Sequence, residues 1–177
     1  MNIKNTLLAI VGFIPFLSGC SNLPLEVPID LSKAGNVVEF EAVVTSDNYT
    51  ANPTLLFYVP DYVTKNPQGE TEVMRQRREV YDFLGESQWK QNGKIGEVFP
   101  IHLSIHKLTK TGKELIVDKV IETKGNDGGW GGQYTRRLGW YELNKGKYIV
   151  RFETLKDIEF LRDKKCTIYF GRRVQKV

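Results

Sequence analysis

Residue types that commonly do chemistry are sparse in this 177-residue chain: two histidines, two cysteines and one glycine-rich run. His102 and His106 stand four apart in a stretch where Phe99, Ile101, Leu103 and Ile105 alternate with polar residues, the rhythm of a strand. At about 3.3 Å per residue the two imidazoles lie roughly 13 Å apart, too far to share one zinc ion without a bulge. No metal and no cofactor is therefore expected. The run Gly125, Asn126, Asp127, Gly128, Gly129, Trp130, Gly131, Gly132 lacks the Gly-Lys-Ser/Thr ending of a phosphate-cradling loop. No helical pattern follows it, so its glycines read as turn residues. Neither a Gly-x-Ser-x-Gly elbow nor a His-Glu-x-x-His pair occurs. A non-enzymatic role is the expectation.

What the glycine-rich run does introduce is a group of aromatic and arginine residues: Trp130, Tyr134, Arg136, Arg137, Trp140 and Tyr141. Such residues are enriched in binding surfaces, which makes these six the candidate partner-binding set. Taken singly, each also suits the core or rim of a β domain. Arginine and tyrosine beside tryptophan favour a protein partner over a glycan. The net charge of +4 is too mild to imply nucleic acid.

The N-terminus carries a different chemistry. Met1 to Asn5 holds one positive charge at Lys4, and an apolar run follows from Leu7 to Leu17. That order is the secretory layout, and the run is too short for a membrane span of roughly 20 residues. Leu17, Ser18, Gly19, Cys20 resembles the lipobox that ends the type II signal peptide of bacterial lipoproteins. The resemblance implies that residues 1–19 are removed and that Cys20 is acylated with palmitate-type chains, three in all. One chain alone binds a membrane only marginally. Ser21 stands where inner-membrane lipoproteins of enteric type carry Asp, which implies the outer membrane and a periplasmic location. The processed chain of 158 residues suits one domain.

Beside Cys20 only Cys166 remains, so no disulfide can close within the processed chain. In Cys166, Thr167, Ile168, Tyr169, Phe170 the thiol shares a face with Ile168 and Phe170. It reads as a small buried hydrophobe.

The elements that must position these residues follow from periodicity. Residues 20–35 are polar and turn-rich with Pro24 and Pro28, and read as a lipidated, extended tether, leaving residues 36–177 as the domain. Strands are expected at Val38–Val44 and at the apolar run Thr54–Val59. Glu70–Leu84 is rich in helix formers and places Val73, Arg77, Val80, Tyr81 and Leu84 on one stripe. Its cluster Arg75, Arg77 and Arg78 is diluted by Glu70, Glu72, Glu79 and Asp82 and reads as a solvated face. A hairpin turn is expected at Thr109–Lys113, leading into Glu114–Thr123, and a loop or short turn at Asp157–Arg162 before the Cys166 strand.

Leu143 to Phe152 resembles the tyrosine corner of immunoglobulin-like and fibronectin-like sandwiches, in which a strand-opening Tyr bonds back to the preceding backbone. The resemblance implies that role for Tyr148, with Val150 and Phe152 facing inward. The expected fold is mainly β, an immunoglobulin-like or related β-sandwich with one helix inserted near residues 70–84. With the lipobox and the strand near Val37, the chain resembles small uncharacterised β-sandwich lipoproteins of Gram-negative bacteria, a likeness that transfers no catalytic residue. The expected function is a membrane-anchored binding module for an envelope protein or glycan. Two alternatives stay open: an immunity protein against a secreted toxin, a role that some small periplasmic lipoproteins have, and a structural or assembly factor of the envelope.

Overall fold

Period-two alternation lays the chain out as two five-stranded sheets with their apolar faces turned toward each other. The computed structural model describes residues 21–59, 67–86, 92–130 and 132–172, with the backbone alone at 21, 22, 67–71 and 130. Residues 1–19 and Cys20 lie outside the described residues. In chain order the elements are β1 (Ser21–Asn22), β2 (Leu25–Pro28), β3 (Val37–Val44), β4 (Tyr49–Ala51), β5 (Thr54–Tyr58), α1 (Pro67–Leu84), β6 (Phe99–Thr109) and β7 (Gly112–Thr123). They continue as β8 (Gly128–Trp130), β9 (Gln133–Arg137), β10 (Tyr141–Leu143), β11 (Gly146–Thr154), a 3-10 turn at Glu159–Leu161, and β12 (Cys166–Phe170). The first sheet runs β1-β3-β11-β6-β7 and the second β2-β12-β5-β9-β8; β4 and β10 form a separate two-stranded ribbon.

The mainly β, sandwich-like fold with one helix is as expected. Phe40, Ala42 and Val44 of β3, Val150 and Phe152 of β11 and Ile101, Leu103 and Ile105 of β6 are buried from the first sheet. Leu55, Phe57, Ile168 and Phe170 are buried from the second. The Phe40 ring bridges the layers, 6.2 Å from Phe152 and 5.8 Å, edge-on, from Phe170. Tyr148 is buried and its hydroxyl donates to the Asn144 carbonyl at 2.6 Å, which is the tyrosine corner. Cys166 is buried beside Ile168 and Phe170, and burial pushes its thiol pKa up to about 12.

Residues 21–35 correct the tether expectation. β1 pairs in parallel with β3 and β2 pairs antiparallel with β12, while Ile29 and Leu31 are buried in the core. The domain therefore includes the segment from Ser21 onward. Pro28 does not prevent this because β2 is an edge strand, where a missing N–H costs no ladder bond, and Pro24 lies between β1 and β2, outside either strand.

The helix stripe is partly as expected. Val80 and Leu84 are buried and Phe83 stacks on Phe99 and Phe160, whereas Tyr81 is partly exposed. Arg75 lies in solvent, paired with Glu72 and Glu79. Arg77 departs from the solvated reading: it is buried, its guanidinium 5.7 Å from the Tyr134 ring centre. The helix stops at Gly85, whose φ of +82° and N–H bond to the Tyr81 carbonyl make a left-handed cap. Any side chain there would collide with the Gly96 backbone. The strand β6 carries a register shift between Ile105 and His106, so His102 and His106 are not on one regular ladder. His102 instead bonds to the Asp118 carboxylate of β7.

Candidate functional site

β9 decides the fate of the residues singled out from the sequence. Alternation sends Tyr134 and Arg136 inward and Gln133, Thr135 and Arg137 to the opposite face. Arg136 is 1 % exposed, so it is a core residue and not part of a docking surface. Its Nε donates to the Gly125 carbonyl at 2.8 Å, one Nη to the Glu97 carbonyl at 2.7 Å and Thr123 Oγ1 at 3.2 Å, and the other Nη to the Leu84 carbonyl at 2.7 Å. Burial lowers its pKa to about 10, which leaves the guanidinium charged at neutral pH. The cation so placed sits at the C-terminal carbonyls of α1, where the helix dipole favours it.

Tyr141 is likewise buried, its hydroxyl donating to the Leu138 carbonyl at 2.9 Å and the Lys119 ammonium lying 4.7 Å over its ring. Tyr134 is half-buried between Tyr81 and Arg77. Trp140 is exposed and the Arg137 guanidinium covers it at 4.6 Å. Trp130 occupies the register position opposite Gln133, and its side chain lies outside the described residues. The six residues therefore do not make one surface. Among the described side chains of the six, Arg137 meets Trp140 at an accessible place, because strand alternation divides neighbours in sequence between the two faces of a sheet.

A hollow of about 580 Å³ lies on the outward face of the second sheet. Thr54 and Leu56 of β5 line it together with Tyr58, Gln133, Tyr169, Arg172, Pro24 and Glu26. Thr54 and Leu56 are themselves buried, so they form a floor, and β5 is covered on both of its faces. The Glu26 carboxylate accepts from the Tyr58 hydroxyl and, at 2.9 Å, from Thr167. Burial first, and then the bond to Glu26, raise the Tyr58 pKa, which keeps it a neutral phenol. The Lys165 ammonium lies 4.5 Å over the same ring.

At the other wall the Tyr169 hydroxyl donates to the Arg172 carbonyl at 3.3 Å, and the Arg172 N–H donates to Tyr49 at 2.6 Å. The Arg172 side chain is thereby held near the Tyr49 ring, 5.8 Å from its centre. Gln133 Oε1 is buried and has no hydrogen-bond partner among the described residues. The arrangement thus combines an apolar floor with phenol, amide, carboxylate and guanidinium groups around it. Those are the parts that hold and orient a bound group.

None of Glu26, Leu56, Tyr58, Tyr169 and Arg172 stood out in the sequence. Glu26 falls in the expected tether, the strands that hold Leu56, Tyr58 and Tyr169 read as core, and Arg172 lies just past the last strand. The usable signal was the alternation of Leu25 and Val27 with Glu26 and Pro28, which marks a strand with one wet face.

A family model described as "Domain of unknown function (DUF5625)" matches residues 26–172. That range begins inside β2, in agreement with the placement of the N-terminal arm within the domain. A crystal structure of a protein from Sulfurospirillum deleyianum is similar at 31% identity with a TM-score of 0.66, covering 85% of this chain and 99% of that one. A comparison with curated proteins gives no match.

Proposed function

We propose that this chain, which belongs to the DUF5625 family, is a lipid-anchored, non-enzymatic binding module on the periplasmic side of a bacterial membrane. It holds an envelope partner in the hollow of its second sheet. The observation that carries the reading is the lining of that hollow. Tyr58, Tyr169 and Leu56 supply apolar area at low entropic cost, and Gln133 brings a buried acceptor that a ligand N–H or O–H would satisfy. Glu26 and Arg172 add charges of opposite sign, which set orientation. A protein segment is favoured over a glycan because paired charges of both signs suit a peptide's mixed side chains.

The test is capture from a native envelope extract by the wild-type chain and by the double variant Tyr169→Ala/Arg172→Glu. Both positions are at the rim, so melting should change little. Loss of two such anchors should weaken capture by a factor of ten or more, about 1.4 kcal/mol or above. Undiminished capture by that variant, with loss instead in Arg137→Ala/Trp140→Ala, would move the site to the exposed end of β9.

A further inference from the structure

Three strand ends bring five lysines together at one end of the first sheet. Gly146, the first residue of β11, pairs with Val44, the last of β3, and Lys147 pairs with Leu108, which in turn pairs with Lys113. Lys107 pairs with Tyr148 one row deeper, Lys110 sits in the β6–β7 turn, and Lys145 lies in the turn before β11. Lys110, Lys113, Lys145 and Lys147 are exposed and Lys107 is half-buried. Among the described residues none of the five is in a salt bridge, whereas Lys33 pairs with Asp157 and Lys156 with Glu97 elsewhere on the surface. Two carboxylates, Asp47 and Glu114, lie in the same turns and rows, and Asp47 accepts the Lys145 backbone N–H at 3.0 Å. This end keeps a surplus of positive charge.

Ser21, the first described residue, lies near this end in β1, which runs parallel to β3 toward it. Ser21 pairs with Ala42, two residues short of the end of β3, which at strand spacings places it roughly 10 Å from Lys147 of β11 and, four strands across the sheet, roughly 20 Å from Lys113 of β7. With no tether between residue 21 and the sheet, an acyl group on Cys20 would bring this part of the domain against lipid. We propose that the five-lysine end is a docking surface for an anionic bilayer, and that it sets the orientation of the domain on the membrane. The proposal rests on the lipoprotein reading of Cys20.

Each lysine held near an anionic surface strengthens partition by roughly fivefold, and the effect is confined to about 8 Å at physiological salt. Several lysines at one end of the sheet are therefore enough to choose which end lies down once the anchor has removed the cost of reaching the membrane. The hollow of the second sheet is on the other layer and stays open to the periplasm.

The experiment uses the purified full-length lipoprotein in vesicles of phosphatidylcholine alone and of equal parts phosphatidylcholine and phosphatidylglycerol. Amine acylation followed by mass spectrometry reads the reactivity of each lysine. Lys110, Lys113, Lys145 and Lys147 are expected to react several-fold more slowly in the anionic vesicles, with Lys33 and Lys156 unchanged, and the protection should vanish in molar salt. Equal reactivity in the two vesicle types overturns the docking surface, and so does protection that persists in neutral vesicles, which would indicate a protein contact there. Incorporation of labelled palmitate into wild type but not into Cys20→Ala tests the anchor separately. If labelling fails, binding of the unlipidated chain to anionic vesicles in low salt, abolished by Lys145→Glu/Lys147→Glu, still supports the surface. Labelling without differential protection sinks the surface and leaves the anchor standing.

Discussion

Replacing Arg136 by methionine removes a side chain that ties α1, the segment before β6 and the turn after β7 to the second sheet. Three main-chain carbonyls, those of Leu84, Glu97 and Gly125, each lose a donor at 2.7 to 2.8 Å, and Thr123 Oγ1 loses one at 3.2 Å. A hydrogen bond to a charged group contributes about 1.5–3 kcal/mol net, and an orphaned buried acceptor costs about 1–3 kcal/mol. Methionine fills similar volume and brings no charge into the core, and the carbonyls share one donor group, so their losses do not simply add. A destabilisation of about 3–6 kcal/mol follows, a large part of the 5–15 kcal/mol typical of a domain. Urea unfolding followed by circular dichroism measures it through the shift in midpoint at constant slope. Arg136→Lys keeps the charge but offers one nitrogen in place of three, and should recover less than half of the loss. A cost below about 1 kcal/mol for Arg136→Met would refute the assignment of this arginine as a structural tie.

The N-terminal arm can be tested at Leu31, which is 1 % exposed. Leu31→Ala should cost about 2–4 kcal/mol in the same assay, whereas a residue in a solvated tether would change stability by less than about 0.5 kcal/mol. Cys166 gives a pH dependence. Its folded pKa is pushed up to about 12 from an ordinary 9.0, so between those values the unfolded state holds fewer protons and stability falls as pH rises. The slope is at most about 1.4 kcal/mol per pH unit. Cys166→Ala should flatten it between pH 9 and 10, and an identical slope in the variant would show that the thiol is not held protonated by the fold.

Alternation makes β6 and β11 legible, because Phe99–Leu103 and Tyr148–Phe152 each bury one face and leave the other partly exposed. β5 and β9 were harder for a physical reason. Thr54 to Phe57 is buried on both faces, so no polar residue marks which side turns outward, and the hollow above Leu56 leaves no trace in the pattern. In Gln133–Arg137 two adjacent arginines look equivalent, yet one is buried and the other reaches Trp140. What separates them is the convergence of carbonyls from positions as remote as Leu84, 52 residues away, and spacing along the chain does not report such convergence. Pro24 and Pro28 weighed against regular structure in the arm, while the exception for edge strands depends on knowing which strand is at the edge.

The arm has a mechanical meaning as well. β1 is bonded to the first sheet and β2 to the second, with Leu23 and Pro24 between them, so the chain stitches the two layers at the point where it departs. Tension entering at Ser21 meets both layers within eight residues. A pull along the arm must break β1 from β3 and then drag β2 past β12, where four residue pairs resist together. Under the proposed anchorage at Cys20, a tug on the lipid would load the sandwich across its seam, and the seam is closed by the same strands that receive the load.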